Sequence, residues 1–481
     1  MATETHSVRN QYFATVAANL VMLGQGLILG WVAPALPTLA SQDTPLVESG
    51  PLSNEQLSWI GSINCIGSLV GSVAFGYVTA SIGCKRATLL LAIPSIAFWL
   101  LIHFGINYYY ILFANFCGGW VTGGSASTIV LYISEIANDN IRGRLGSLPL
   151  FFRNVGILIA YIIGATVDYK FIPWICVTIP IVFVIIFVTL SNTPQYYLRR
   201  GNLQKAEDAL KHYKGFERSK RDPQELSAFH AEFERLKTIA LKQQPKEKLI
   251  WADFSNWKAI NGLGVGIALV TITQFTASFP IVSYAVTIFE NAGTTFNPYV
   301  SSIISAVSFL LGSLHTAYLI EALGRKLLTI ISLVGAALGL FAMSLYLYLK
   351  IIGFSLSAFA WTPIVCISLV IFLSAAGITP VSIICSVEYL PSKIRTFGMS
   401  IISMVLSITG FVSVKTFPVL MELVGLHGSL LIYGIGCVVG VVFVIIVLEE
   451  TRGQSLDDDD SNETRDRQKG SSNKAQQPLI S

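Results

Sequence analysis

Charge is what this sequence has least of. Only 12% of its 481 residues are Asp, Glu, Lys or Arg, while 53% are hydrophobic. Soluble domains carry about 25% charged residues. The deficit excludes a soluble enzyme, a disordered chain and a nucleic-acid-binding protein. A single-anchor membrane protein is excluded too, because apolar stretches recur along nearly the whole chain. The formal net charge of +4 is too small to define a partner. No CxxC pair occurs, and the seven cysteines (Cys65, Cys84, Cys117, Cys176, Cys366, Cys385 and Cys437) are odd in number and lie mostly in apolar stretches. Neither a disulfide framework nor a zinc site is implied. The phosphate loop GxxxxGK[ST] is missing, which removes an ATP-driven pump. No nucleophile–base pair and no metal cluster stand out, so no enzyme, metal or cofactor is expected. The polar segment Met1–Gln11, with His6 and Arg9, does not read as a cleavable signal: the apolar run after it is too long and has no small-residue cleavage site.

What is present is a series of apolar runs long enough to cross a bilayer. A spanning helix needs about 20 mainly apolar residues, because lipid offers no partner to a free backbone group. Twelve spans are predicted: 13–36, 57–79, 87–106, 108–134, 145–166 and 172–190, then 259–290, 298–320, 327–349, 362–387, 398–421 and 428–448. Glycine pairs at small-xxx-small spacing (Gly26/Gly30, Gly67/Gly71, Gly119/Gly123, Gly436/Gly440) let such helices approach closely. The fold class is therefore an all-α membrane protein of two six-helix bundles. Residues 1–12 form one terminus, 13–190 the first bundle, 191–258 a linker, 259–448 the second bundle and 449–481 a tail.

Lys and Arg set the orientation. Alternate loops carry Lys85 and Arg86, Arg142 and Arg144, the segment 199–258, Arg325 and Lys326, Lys393 and Arg395, and Arg452; the opposite loops hold only Lys170 and Lys350. Both termini and the linker are predicted to be cytosolic, in a cell membrane. The sequon at Asn462 then lies in the cytosol and stays unglycosylated. Leu203–Tyr213 and Asp222–Lys242 read as amphipathic helices packed under the membrane part. The tail from Gln454, with Asp457–Asp460, is too polar to bury a core and is expected to be disordered.

The halves echo each other. Glu135 precedes Arg142 by seven residues, and Glu388 precedes Arg395 by seven. Gly83-Cys84-Lys85 answers Gly324-Arg325-Lys326. Such repeats suggest two pseudo-equivalent bundles with a substrate path between them. With these echoes, Ser58-Trp59-Ile60-Gly61-Ser62, Tyr132–Glu135 with Ile141-Arg142-Gly143, Ile288–Gly293, Glu321–Lys326, Val387-Glu388 with Ile394-Arg395, and Glu450–Leu456 occur in order at matching helix ends. Over about residues 13–456 the sequence resembles the sugar porter family of the major facilitator superfamily, nearest the insect facilitated trehalose transporters.

The resemblance implies that Glu135, Arg142, Glu388, Arg395 and Arg325 form ion pairs that close the inner side when the cavity faces outward. Two family acids and an arginine are replaced here: Ala80 and Cys84 stand in the turn after span two, and Ser191-Asn192-Thr193-Pro194 stands where the family has Pro-Glu-Ser-Pro. A weaker inner lock in the first half, and more inward-open protein at rest, are the expected result. Pro280 in span seven and Pro380 in span ten break corresponding helices and are candidate gate hinges. At 100° per residue, Thr273, Thr276, Pro280 and Tyr284 fall on one stripe. The alternative for both prolines is an ordinary packing kink.

Carried over residue by residue, the family's sugar-binding positions are mostly apolar here. Leu150 replaces a glutamine, Phe279 and Phe309 replace asparagines, Ala375 an acid, Ile383 a tryptophan and Leu406 an asparagine. Thr273-Gln274 stands for a glutamine pair, so Gln274 survives, together with Tyr284. Replacement polar groups are available at Gln25, Asn64, Asn154, Ser278, Thr379 and Ser382. Span one has no carboxylate, where proton-coupled relatives carry an Asp, so facilitated diffusion is favoured over symport. Three readings stand: a sugar carrier (hexose, or a disaccharide such as trehalose), a carrier of another small neutral solute, or a non-transporting nutrient sensor. Arg153 and Lys415 are intramembrane cations that either serve the path or snorkel to an interface, and His315 is read as a buried packing residue. The bilayer and a small solute are the expected partners; oligomeric state is left open.

Overall fold

The computed structural model describes residues 2–213, 223–242, 256–294, 296–391 and 394–450, and every regular element among them is helical. The tail and the sequon lie outside the described residues. Ten helical stretches are long and apolar enough to cross a membrane. The last, Phe397–Val447, bends at Gly425 (φ 73°) into two helices. Tyr108–Ile136, a 29-residue helix, completes the predicted twelve. Its glycines, serines and threonines dilute its hydropathy, and they are what lets it sit inside a bundle rather than against lipid.

Spans one to six are Ala2–Ala40, Asn54–Ile82, Cys84–His103 (jogged at Leu91), Tyr108–Ile136, Asp139–Thr166 and Ile172–Thr189 (jogged at Val177). Spans seven to twelve are Trp257–Gln274 with Ser278–Ala292, Pro298–Leu323, Arg325–Ile351, Thr362–Ala376 with Ile378–Tyr389, and the two arms of Arg395–Val447. Span one is much longer than the predicted 13–36. Its first turns leave the apolar zone and dock on the linker, where Gln11 Nε2 donates to Tyr213 O at 3.5 Å and its Oε1 accepts from Asn138 N at 2.9 Å.

Glycines close the seams inside the first bundle. A methyl at Gly67 would strike the carbonyl of Phe116, and one at Gly123 the carbonyl of Ser68. Spans two and four therefore touch backbone to backbone; Gly26 and Gly30 do the same for span one against span five. Above these seams Trp31 meets Phe98 edge-on at 5.7 Å, and Phe98 meets Trp99 at 4.7 Å. The bundles face each other through span two against span eleven, five against eight, and one against seven.

Linker helices Pro194–Arg199, Leu203–Tyr213 and Pro223–Lys242 pack on one end of the molecule, the linker end; the other is the far end. Tyr213 is fully buried there. Its hydroxyl lies 3.1 Å from that of Tyr132 and donates to Ser191 O at 2.5 Å. Burial pushes its phenol above the ordinary tyrosine value.

Candidate functional site

The internal repeat is visible in the bonding at the linker end. Arg142 Nη2 donates to Ala137 O at 3.4 Å, and Arg395 Nε donates to Leu390 O at 3.2 Å, each five residues back. Lys85 reaches the carbonyls of Val188 and Leu190 at the end of span six, and Lys326 reaches Ile445 O at 3.0 Å near the end of span twelve. A cation at a helix C-terminus meets the dipole and the orphan carbonyls together.

The two halves then diverge. Arg325 Nη2 pairs with Glu388 Oε1 at 3.0 Å, and Glu450 accepts from Arg325 N and Lys326 N at 3.0 and 3.1 Å, capping span nine. At the matching place in the first half, Cys84 Sγ donates to Glu135 Oε2 at 2.9 Å and Thr193 Oγ1 donates to the same oxygen at 2.6 Å. The nearby cation comes from the linker: Arg199 Nη2 lies 3.8 Å from Glu135 Oε1. The first half thus holds its carboxylate with a thiol, a hydroxyl and a half-exposed arginine where the second uses a close guanidinium.

Span seven breaks before Pro280, around Thr276, whose carbonyl the proline frees. The chain turns at Phe275–Ala277, with Ala277 left-handed at φ 57°, and restarts at Ser278. The predicted continuous stripe of Thr273, Thr276, Pro280 and Tyr284 is therefore interrupted. Pro280 sits in the first turn of the new helix, where a missing N–H costs nothing. The neighbouring Phe275 carbonyl accepts from Cys437 Sγ of span twelve at 3.0 Å. Span ten breaks at Gly377 (φ −123°, ψ −93°), with Pro380 again in the first turn after it. Ser332 Oγ bridges this break, donating to Leu373 O at 2.8 Å and accepting from Ile378 N at 3.1 Å. Each break is thus stitched by a side chain from its own half, as backbone at membrane depth requires.

Beside the first break lies the central cluster. The methyl direction of Gly410 in span eleven points at Cys65 Sγ (3.5 Å), Gln274 Oε1 (3.9 Å) and Phe279 (3.9 Å). Spans two, seven and eleven, from both bundles, meet there. Gln274 is 95% buried; its Nε2 turns back to Val270 O at 3.4 Å, while its Oε1 has no partner among the described residues. Asn154 of span five is buried likewise, and its Nδ2 has no partner. A buried polar atom without a partner costs about 1–3 kcal/mol.

The other candidates divide. Thr273 spends its hydroxyl on Leu269 O, and Gln25 and Asn64 bond Ser125 and Thr122. Tyr284 is buried beside Gly61 and donates to Val414 O at 3.3 Å. Phe309 is buried in the core. Ile383 is 45% exposed. His315, read as buried, is exposed and bonds Leu311 O within its own helix. Sequence reasoning missed Cys84, Thr193 and Arg199 as partners of Glu135, because nothing in the chain links positions 51 to 64 residues apart.

The chain has known likenesses. The profile of the family described as "Sugar (and other) transporter" matches residues 11–461. A facilitated trehalose transporter homolog of Drosophila simulans is 28% identical over 93% of this chain and 90% of its own length. One from Drosophila yakuba is 30% identical over 92% of this chain, which spans 51% of that longer protein. Among solved structures, the inward-open xylose transporter XylE of E. coli aligns with TM-score 0.75 at 19% identity, over 93% of this chain and 98% of its own. The same transporter bound to 6-bromo-6-deoxy-D-glucose aligns at TM-score 0.72. Twelve membrane helices in two pseudo-equivalent bundles, repeated linker-end bonding and this match over most of the length make the chain a multi-pass member of the sugar (and other) transporter family, with the major facilitator fold.

Proposed function

We propose that the chain carries a sugar, a hexose or a disaccharide such as trehalose, across the cell membrane by facilitated diffusion. Both termini and the linker end face the cytosol, and the far end faces outside. The solute sits between residues 13–190 and 259–448 at the Gln274 cluster, with Thr273, Tyr284, Phe279, Phe309 and Ile383 around it. The single observation that carries this reading is Gln274 Oε1, a buried acceptor with no partner among the described residues, at the place where spans two, seven and eleven of both bundles meet. A hydroxyl donates, so an alcohol answers it. The names of the relatives favour trehalose.

Alternating access follows from where the bundles touch. Cross-bundle bonds gather at the far end: Asn54 Nδ2 to Glu422 Oε1 at 2.6 Å, Tyr161 OH to Val282 O at 2.6 Å, and Lys415 Nζ to Ser58 Oγ at 2.6 Å. These bonds support an inward-facing arrangement, in keeping with the substitutions Ala80, Cys84 and Asn192 that weaken the inner lock. Glu135, Arg142, Arg325, Glu388 and Arg395 stand at the inner gate, which shuts when the linker ends of the two bundles meet, and the breaks before Pro280 and Pro380 supply the hinges.

The test is uptake of labelled trehalose, glucose and fructose into liposomes holding the pure protein. Saturable uptake of one of them, with KM raised about tenfold or more in Gln274→Ala, is expected. No uptake and no binding of any sugar would sink the reading. It would favour a less polar neutral solute, to which the apolar residues at Leu150, Phe279, Phe309, Ala375 and Leu406 are better suited.

A further inference from the structure

Lys415 stands in an apolar arm of span eleven, ten residues short of the bend at Gly425, about 15 Å along the helix. A bare ammonium at such a depth is costly. Its side chain does not run along its own helix to the interface. It crosses to the other bundle, where Nζ donates to Ser58 Oγ at 2.6 Å and lies 4.4 Å from the ring centre of Trp59. Trp59 in turn packs on Phe411, one turn from Lys415, with ring centres 5.8 Å apart.

These contacts lie on one seam. Ser58, Gly61 and Cys65 form a stripe on span two at i, i+3 and i+7. Ser58 meets Lys415, Gly61 meets Tyr284 and Val414, and Cys65 meets Gly410, whose methyl direction also points at Gln274 and Phe279. The seam runs from the far end straight to the central cluster, and Lys415 closes its outer mouth.

We infer that Lys415 is the charged latch of the outer gate. Spans two and eleven cannot part at the far end without taking Ser58 and Trp59 away from Lys415. The hydrogen bond and the cation–π contact are therefore made in one state and broken in the other, which is the condition for a contact to shift the equilibrium. Water in the opened mouth rehydrates the ammonium and offsets part of the loss. The net bias from a charged hydrogen bond and a partly shielded cation–π contact is about fivefold or more in population. The inference concerns the gate and needs no particular solute.

The experiment uses the full chain with Cys84, Cys117, Cys176, Cys366, Cys385 and Cys437 replaced by Ala, leaving Cys65 as the reporter. A membrane-impermeant methanethiosulfonate reagent is applied from outside to cells carrying it; the Cys65→Ser version sets the background. Lys415→Met and, independently, Ser58→Ala should raise the external labelling rate of Cys65 at least about fivefold and twofold. Lys415→Arg, which keeps the charge, the donor and the ring contact, should label as slowly as the parent. Ser58→Ala changes one oxygen and tests the latch even where Lys415→Met fails to reach the membrane. Unchanged labelling in both variants, or a rise in Lys415→Arg equal to that in Lys415→Met, would overturn the inference. A structural role alone would lower the melting temperature without opening Cys65 to the outside. A protein that moves no sugar but labels as expected keeps the latch and loses only the sugar.

Discussion

Replacing Glu388 by Gln removes a charge while keeping the shape, and the matching change at Glu135 removes the same charge from the other half. The surroundings predict different costs. Glu388 and Arg325 are 18% and 20% exposed at 3.0 Å, a charge-assisted bond shielded from most water. Such bonds contribute about 1.5–3 kcal/mol, against 0.5–1.5 for neutral ones. Glu388→Gln keeps a neutral bond, so the loss is about 1–2 kcal/mol. Glu135 accepts from Cys84 and Thr193; a Gln oxygen keeps both partners, and the charge assistance it gives up is offset by no longer burying a carboxylate that is 4% exposed with its cation 3.8 Å off. What it loses is the attraction to Arg199, 3.8 Å away on a side chain that is 46% exposed. Solvent screening holds such pairs to about 0.5 kcal/mol or less. With each bundle near 180 residues, Glu388→Gln should lower the melting temperature in detergent by about 2–8 °C, and Glu135→Gln by about 2 °C or less. Fluorescence-detected size exclusion after a heating series reads both. Equal shifts, or a larger one for Glu135→Gln, would refute the claim that the first-half lock is held by neutral donors.

Three further outcomes follow from the packing and the cluster. Gly123→Leu drives a side chain into the backbone of Ser68 and Ser72, so surface expression should fall to background, whereas Gly143→Leu, with open space around it, should express normally. Ala277 holds a left-handed conformation that costs a residue with a Cβ about 1–2 kcal/mol, so Ala277→Gly should raise the melting temperature and Ala277→Val should lower it, as heated size exclusion will show. Gln274→Ala should weaken uptake of the carried sugar about tenfold or more through KM, and Thr273→Val, whose hydroxyl serves only its own helix, should change KM by less than about threefold.

The spans were legible in the sequence because lipid imposes one rule on every backbone group, and hydropathy reports that rule directly. The repeat was legible because Glu135 with Arg142 and Glu388 with Arg395 keep one spacing, and the structure gives both arginines the same bond five residues back. Linker helix Leu203–Tyr213 has the bounds its amphipathic pattern predicts. The break in span seven was legible too, because Pro280 frees the carbonyl of Thr276 and the chain turns at Phe275–Ala277. What the sequence does not say is that Cys437, 162 residues away, takes up the neighbouring Phe275 carbonyl. His315 went astray for another reason: on a helix apolar all round, periodicity does not say which face is covered. The role of Lys415 was out of reach, since its partners Ser58 and Trp59 belong to the other half of the chain.

The central claim is that two bundles rock about the Gln274 cluster, one end opening as the other closes. Pulsed electron spin resonance on two pairs of labels tests it most directly, with each pair placed in the chain whose native cysteines are replaced. One pair, at Arg144 and Phe397, spans the linker end, and the other, at Glu55 and Leu423, spans the far end; all four side chains are exposed. The account predicts a long linker-end distance with a short far-end distance in the parent, and both shifting in opposite directions in Lys415→Met. Distances that stay fixed, or that lengthen together at both ends, would contradict it.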